Sequence, residues 1–135
     1  MLYLDTSAVL KLYLSEFGAR RFRQTVETHA PWLFTSRVTY AETLAGLARA
    51  RREDRITNRS HQQKERQFAS DWLAFHVVEL TEEVLEPCSR VIAAHALRGF
   101  DAIHLCSALW ARGSAFACFD ERLREAARAE GLTLV

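Results

Sequence analysis

The chain has 135 residues, enough to bury one core and too few for two. Hydrophobic residues make up 49% and charged residues 26%, which excludes a disordered or collagen-like chain. Eighteen Lys and Arg against seventeen Asp and Glu give a formal net charge of +1, so a general basic coat for nucleic acid is absent and any phosphate-binding surface must be local.

Short apolar runs alternate with longer amphipathic stretches. The first run, Met1 to Leu4, stops at Asp5, which heads a helix. Ser15 reads as the N-cap of a helix into the late twenties. The second run, Trp32 to Phe34, stops at Thr35-Ser36, and Ser36 reads as the cap of a helix from Arg37 to about Arg52. Asn58 starts another helix to about Ala74. The third run, Phe75 to Leu80, leads to Thr81, the expected cap of one helix with the stripe Val84, Leu85, Cys88, Val91, Ile92 and Ala96. Gly99 breaks the chain before a helix from Asp101 to about Arg112. The fourth run, Ala115 to Phe119, stops at Asp120, and a last helix from Glu121 to about Glu130 ends at Gly131. Leu132 to Val135 is a fifth run. This alternation predicts an α/β fold, a parallel sheet of four to five strands with helices on both faces. Ligands of such sheets bind beyond the carboxyl ends of the strands, where Asp5 and Asp120 stand.

Three cysteines, Cys88, Cys106 and Cys118, form no C-x-x-C pair and read as reduced, mostly buried thiols of a cytoplasmic protein. The longest stretch without Asp, Glu, Lys or Arg runs from Ala102 to Ala111, too short to span a bilayer. No basic region precedes the first apolar run, which reads against a secretory signal. Leu10, Tyr13, Leu14 and Phe17, with Trp72 and Trp110, suit either core or an association surface.

Four acids stand out. Asp5, Asp101 and Asp120 each precede an expected helix, and Asp is a favoured N-cap worth about 1 kcal/mol. Glu42 lies inside a helix on the same face as Val38, Ala45 and Gly46, an apolar stripe where an ionised acid is costly without a partner. Together these acids could converge at one sheet edge, where their mutual repulsion calls for a cation. Oxygen donors alone suit Mg²⁺ or Mn²⁺, and such an ion is suited to phosphodiester chemistry. Thr6 and Ser7 could hold Asp5, a water or a phosphate oxygen, or only support the first helical turn. His104, three residues after Asp101, reads as a packed, hydrogen-bonded histidine rather than a ligand. From Arg49 to Arg66 seven cations against three acids concentrate a charge of +4, leaving −3 elsewhere. Arg49, Arg52, Arg55 and Arg59 on that arm are candidate RNA contacts, against the alternative of a solvated helical face.

These motifs resemble the PIN-domain family, and most closely its VapC-type toxin branch. The resemblance rests on LDTSAVLKLYL at Leu4 to Leu14, TSRVTYAETLAGL at Thr35 to Leu47, LRGFDAIHLCSAL at Leu97 to Leu109, and CFDERLREAARAEGLTLV at the end. It covers essentially the whole chain as one domain, residues 1–135. It implies a three-layer α/β sandwich and a Mg²⁺- or Mn²⁺-dependent endoribonuclease. In it Asp5, Glu42, Asp101 and Asp120 form the metal-binding acidic cluster, with Thr6 or Ser7 as a supporting hydroxyl. It also implies a homodimer, or a larger assembly with an inhibitory VapB-type antitoxin, and structured RNA such as tRNA as substrate. Many relatives carry Thr or Ser two positions before the last acid, where this chain has Cys118. A dehalogenase-type phosphatase would need a second aspartate where Ser7 stands. The alternative from another class is a non-catalytic domain of the same fold that binds RNA or a partner through the arginine arm.

Overall fold

The computed structural model describes residues 1–112 and 115–135. Four short strands, β1 (Leu2–Leu4), β2 (Leu33–Ser36), β3 (His76–Val78) and β4 (Ala115–Ala117), form one parallel sheet in the order β3-β2-β1-β4. β1 is buried along its whole length, so its residues are apolar on both sides. Their alternation divides the core: Tyr3 packs on one face, and Leu2 and Leu4 on the other. The Leu2 and Leu4 face is covered by α1 (Thr6–Tyr13), α2 (Ala19–His29), α3 (Val38–Arg52) and α4 (Asn58–Asp71), the last followed by a turn of 3₁₀ helix at Trp72–Ala74. The Tyr3 face is covered by α5 (Glu82–Leu85), α6 (Cys88–His95), α7 (Gly99–Trp110) and α8 (Glu121–Ala129). The result is the expected three-layer sandwich. Because β2 and β4 lie on opposite sides of β1, the chain changes direction between β1 and β4, where such folds place their sites.

Several local expectations are corrected. Ser15 does not cap α2: the helix starts at Ala19, after Gly18 turns the chain with φ 76°. Ser36 does not cap α3. It remains in β2, paired with Val78, and its hydroxyl is buried without a hydrogen bond. The helix expected from Thr81 is two, because Pro87 lacks the N–H to continue α5 and sits instead at the N-cap of α6. α7 begins at Gly99, so Asp101 lies within its first turn rather than before it. The fifth apolar run makes a single parallel bridge, Phe116 to Leu134, not a full strand. Of the early apolar cluster, Tyr13 and Leu14 are core and Phe17 is fully exposed. The cysteines are free thiols, with Cys88 Sγ 3.4 Å from Cys106 Sγ across α6 and α7. Among the described residues no helix is long and apolar enough to cross a membrane.

Candidate active site

Asp5 ends β1 and caps α1, where its Oδ1 accepts the Ala8 N–H at 2.8 Å. Ser7 Oγ donates to the same carboxylate, 2.7 Å from Oδ1 and 3.0 Å from Oδ2. Ser7 Oγ also accepts the Phe119 N–H at 2.8 Å, joining the ends of β1 and β4. Capping alone does not account for this aspartate. It is only 5% exposed, and a serine would cap as well without placing a charge there. Burial pushes its pKa up to about 6, and His104, Ala8 and Ser7 offset that only in part.

Glu42 sits on α3, reached from the start of α1 by Thr6 and from α7 by His104. Its Oε2 is 2.5 Å from Thr6 Oγ1 and 2.9 Å from His104 Nε2, and those two atoms are 3.0 Å apart. Burial works to raise the Glu42 pKa, but the hydrogen bonds from His104 and Thr6 outweigh it and hold the carboxyl below its ordinary value. An ionised carboxylate only accepts, so His104 Nε2 is the donor in that contact. In a neutral imidazole Nδ1 is then the acceptor, and it receives the Tyr3 hydroxyl at 3.1 Å. The ring is 3% exposed. His104 is therefore the packed histidine the sequence predicts, and its packing is what orients Glu42. Tyr3 was invisible as a site residue. Its only signals are its place two residues before Asp5 and its opposite facing from Leu2 and Leu4.

Asp101 is partly buried in the first turn of α7, at the third helical position, where an acid suits the helix dipole. Burial raises its pKa, and the Asp120 charge raises it further, while His104 and Arg98 oppose. Asp120 is exposed, follows β4 and caps α8, with its Oδ1 accepting the Leu123 N–H at 2.9 Å. Two residues earlier, the Cys118 thiol is buried and its pKa is pushed up to about 12, so it remains a neutral thiol beside the acids.

The four predicted acids thus come from four elements to one end of the sheet. Among the described residues no three of them, with His or Cys, are gathered closely enough to hold an ion together as they stand. Their chemistry nevertheless fits one. All are oxygen donors, Asp5 and Asp101 are both pushed toward protonation, and none of Asp5, Asp101 and Asp120 is ion-paired to a Lys or Arg among the described residues.

The arginine arm is the end of α3, the turn that holds Arg55 and the start of α4, and its cations are unequal. Arg49 pairs with Glu53 at 2.7 Å, and Arg55 pairs with Glu53 and Glu16, each at 3.2 Å. Arg52 and Arg59 are exposed and make no ion pair among the described residues.

A family model of the PIN domain matches residues 2–129. Two proteins of Mycobacterium tuberculosis, ribonuclease VapC45 (strain CDC 1551 / Oshkosh) and ribonuclease VapC49 (strain ATCC 25618 / H37Rv), are each 36% identical over 133 residues, which is 97% of this chain and 92% of theirs. Among solved structures, FitAcB from Neisseria gonorrhoeae superposes with a TM-score of 0.76 at 15% identity, over 99% of this chain and 96% of that one. VapBC2 from Rickettsia felis, bound to a promoter DNA fragment, gives 0.67 at 13% identity over 100% and 98%. At such identities the structural likeness speaks for the fold.

Proposed function

The chain belongs to the PIN-domain family, in its VapC-type branch, and from that premise we propose that it is an endoribonuclease toxin whose four sheet-end acids hold a divalent cation. The observation that carries this reading is the set Asp5, Glu42, Asp101 and Asp120 at one sheet end, with Asp5, Asp101 and Asp120 making no ion pair to a Lys or Arg among the described residues. Mg²⁺ or Mn²⁺, when bound, lowers the pKa of a water and neutralises charge on the phosphate.

The chain's own residues do the rest. Ser7 and the Ala8 N–H fix the Asp5 carboxylate and leave it no rotamer freedom. Thr6 and His104 both bind Oε2 of Glu42, so Oε1 has no protein partner among the described residues. Asp101 and Asp120 supply the remaining oxygens, from the first turn of α7 and the N-cap of α8, both on the Tyr3 face. Arg52 and Arg59, without ion pairs among the described residues, are the better placed of the arm's cations for phosphates, and Arg49 and Arg55 join once released from Glu53 and Glu16. The same reading takes structured RNA such as tRNA as substrate, a VapB-type antitoxin as inhibitor, a homodimer as the assembly, residues 1–135 as one domain, and the cytoplasm as location.

The test pairs cleavage with melting. Wild type should generate discrete new RNA 5′ ends when induced in bacteria, and Asp101→Asn should generate none. Mg²⁺ or Mn²⁺ should raise the melting temperature of wild type and not of Asp101→Asn. Equal melting shifts in both would refute the metal assignment.

A further inference from the structure

Phe119 directly precedes Asp120 and lies beside the Asp5 segment, and its side chain has no part in holding either acid. An exposed phenylalanine is ordinary in itself. This one, 44% exposed, is fixed by its own backbone to the acid network, through its N–H on Ser7 Oγ and from there to Asp5. Its ring is braced edge-on with Phe22, centroids 5.1 Å apart at 86°. Lys11 Nζ lies over the ring, 3.9 Å from its centroid. The ring also walls one end of a groove of about 460 Å³ that continues past Leu10 and Gly46 to Arg49 and Arg55. Gly46 matters to that groove: a Cβ there would come 2.5 Å from Leu10 Cδ1, so Leu10 now lies where a side chain would stand.

We propose that Phe119 is a stacking platform for a base of the RNA strand beside the cleaved phosphate, and that the groove leads that strand to Arg49 and Arg55. This rests on the ribonuclease reading above. Every base has a face that stacks on an aromatic ring, so such a platform holds a strand without reading its sequence. Lys11 covers the ring when it is empty and is a flexible cation. When a base takes its place, the ammonium moves to a neighbouring phosphate. At the far end, the Arg49 and Arg55 ion pairs are exposed and exchangeable, so phosphates compete with Glu53 and Glu16 for them. The platform makes Phe119 a positioning residue: it places the strand while the acids do the chemistry.

The experiment uses the full chain carrying Asp101→Asn, to prevent cleavage, in magnesium buffer. The probe is a series of single-stranded RNA oligonucleotides with one 2-aminopurine at successive positions. Binding should quench the fluorescence several-fold at one position. Adding Phe119→Leu, which keeps an apolar side chain against Phe22, should abolish that quench and weaken binding about tenfold. Phe119→Trp should restore both, and Arg55→Ala should weaken binding with the saturating quench unchanged. An undiminished quench in Phe119→Leu, rescue by leucine as good as by tryptophan, or no binding at 50 mM salt overturns the platform. So does a Phe119→Leu variant that binds RNA normally and loses antitoxin, which would give the groove to the partner protein. Cleavage is scored separately with Asp101 intact. If wild type cuts no bacterial RNA while the quench stands, the ribonuclease reading fails and the stacking site remains.

Discussion

The acid site has two unlike halves. On the side of α1 and α3, Asp5 is buried and Glu42 half-buried, and each is wired to hydroxyls, a backbone amide or an imidazole. On the side of α7 and α8, Asp101 and Asp120 are more open and act on each other chiefly by repulsion. One half is preorganised by the protein, and the other is arranged so that only a cation would draw it together. A site built this way has rigid geometry on one wall and charge-dependent closure on the other.

The largest expected effect sharpens that contrast. Asp5→Asn and Asp101→Asn should each lower RNA cleavage by at least about 10³-fold, measured as initial rates at fixed metal, because each removes one ionised donor. They should part company in stability. Asparagine still accepts the Ala8 N–H and removes a buried charge, so Asp5→Asn should raise the melting temperature of the chelator-treated protein at pH 7. Asp101→Asn should change it little. If Asp5→Asn instead unfolds the protein, Asp5 is chiefly a structural cap and the contrast collapses.

The next effect is one of pH. Folded Asp5 holds its proton to about 6, whereas in the unfolded chain it is released near 3.8. Between those values unfolding releases a proton, so rising pH favours unfolding. Metal-free wild type should lose on the order of 3 kcal/mol relative to Asp5→Asn as pH rises from about 4 to 6. Glu42, whose pKa is lowered, acts in the opposite sense, adding stability above its ordinary range that is lost as pH falls. Urea denaturation of the two proteins across pH 4 to 7 isolates the Asp5 contribution. Parallel curves would remove it.

A smaller effect tests the wiring of the preorganised half. His104→Ala should cost about 10- to 100-fold in cleavage or metal affinity, because Glu42 loses the donor that orients it. Tyr3→Phe removes only the outer hydroxyl and should cost about 1 kcal/mol of stability with little change in rate. Equal losses in the two variants would place the control of Glu42 at Tyr3. The smallest effect concerns the arm. Arg52→Ala should reduce the slope of log affinity against log salt by about 1, and Arg55→Ala by less, because Arg55 must first leave Glu16 and Glu53. Identical slopes would mean that the ion pairs do not hold Arg55 back.

Much of the site was legible in the chain because its acids obey local rules. Asp5 and Asp120 end apolar runs and start helices, whereas the stripe of Val38, Ala45 and Gly46 that singled out Glu42 is not the buried face of α3, which is Thr39, Thr43, Leu47 and Ala50, and Glu42 stands half-buried beside it. The same local rules misplaced the caps. Ser15 looked like a helix start because caps are recognised by residue type, whereas the turn is made by a left-handed Gly18 three residues later. Ser36 looked like one because β2 was expected to end early, whereas pairing with Val78 keeps it in the sheet. The link from Tyr3 through His104 to Glu42 was not legible, because it joins three elements far apart in the chain. The division of the arm's arginines was equally hidden, since Arg55 is held by Glu16 from the other side of the groove.

Helix α7 carries Asp101 on its first turn and His104 one turn later, while Ala102, Leu105, Cys106 and Ala108 are buried in the core with almost no exposed surface. One rod thus sets the position of an acid on the open wall and of the imidazole that aims the acid on the closed wall. A small tilt displaces both at once. Tolerance to substitution should therefore be lopsided across the molecule. The exposed arm can drift in sequence with graded loss, whereas random variants that are folded yet inactive should cluster at apolar positions between Ala102 and Ala108, which touch no substrate at all.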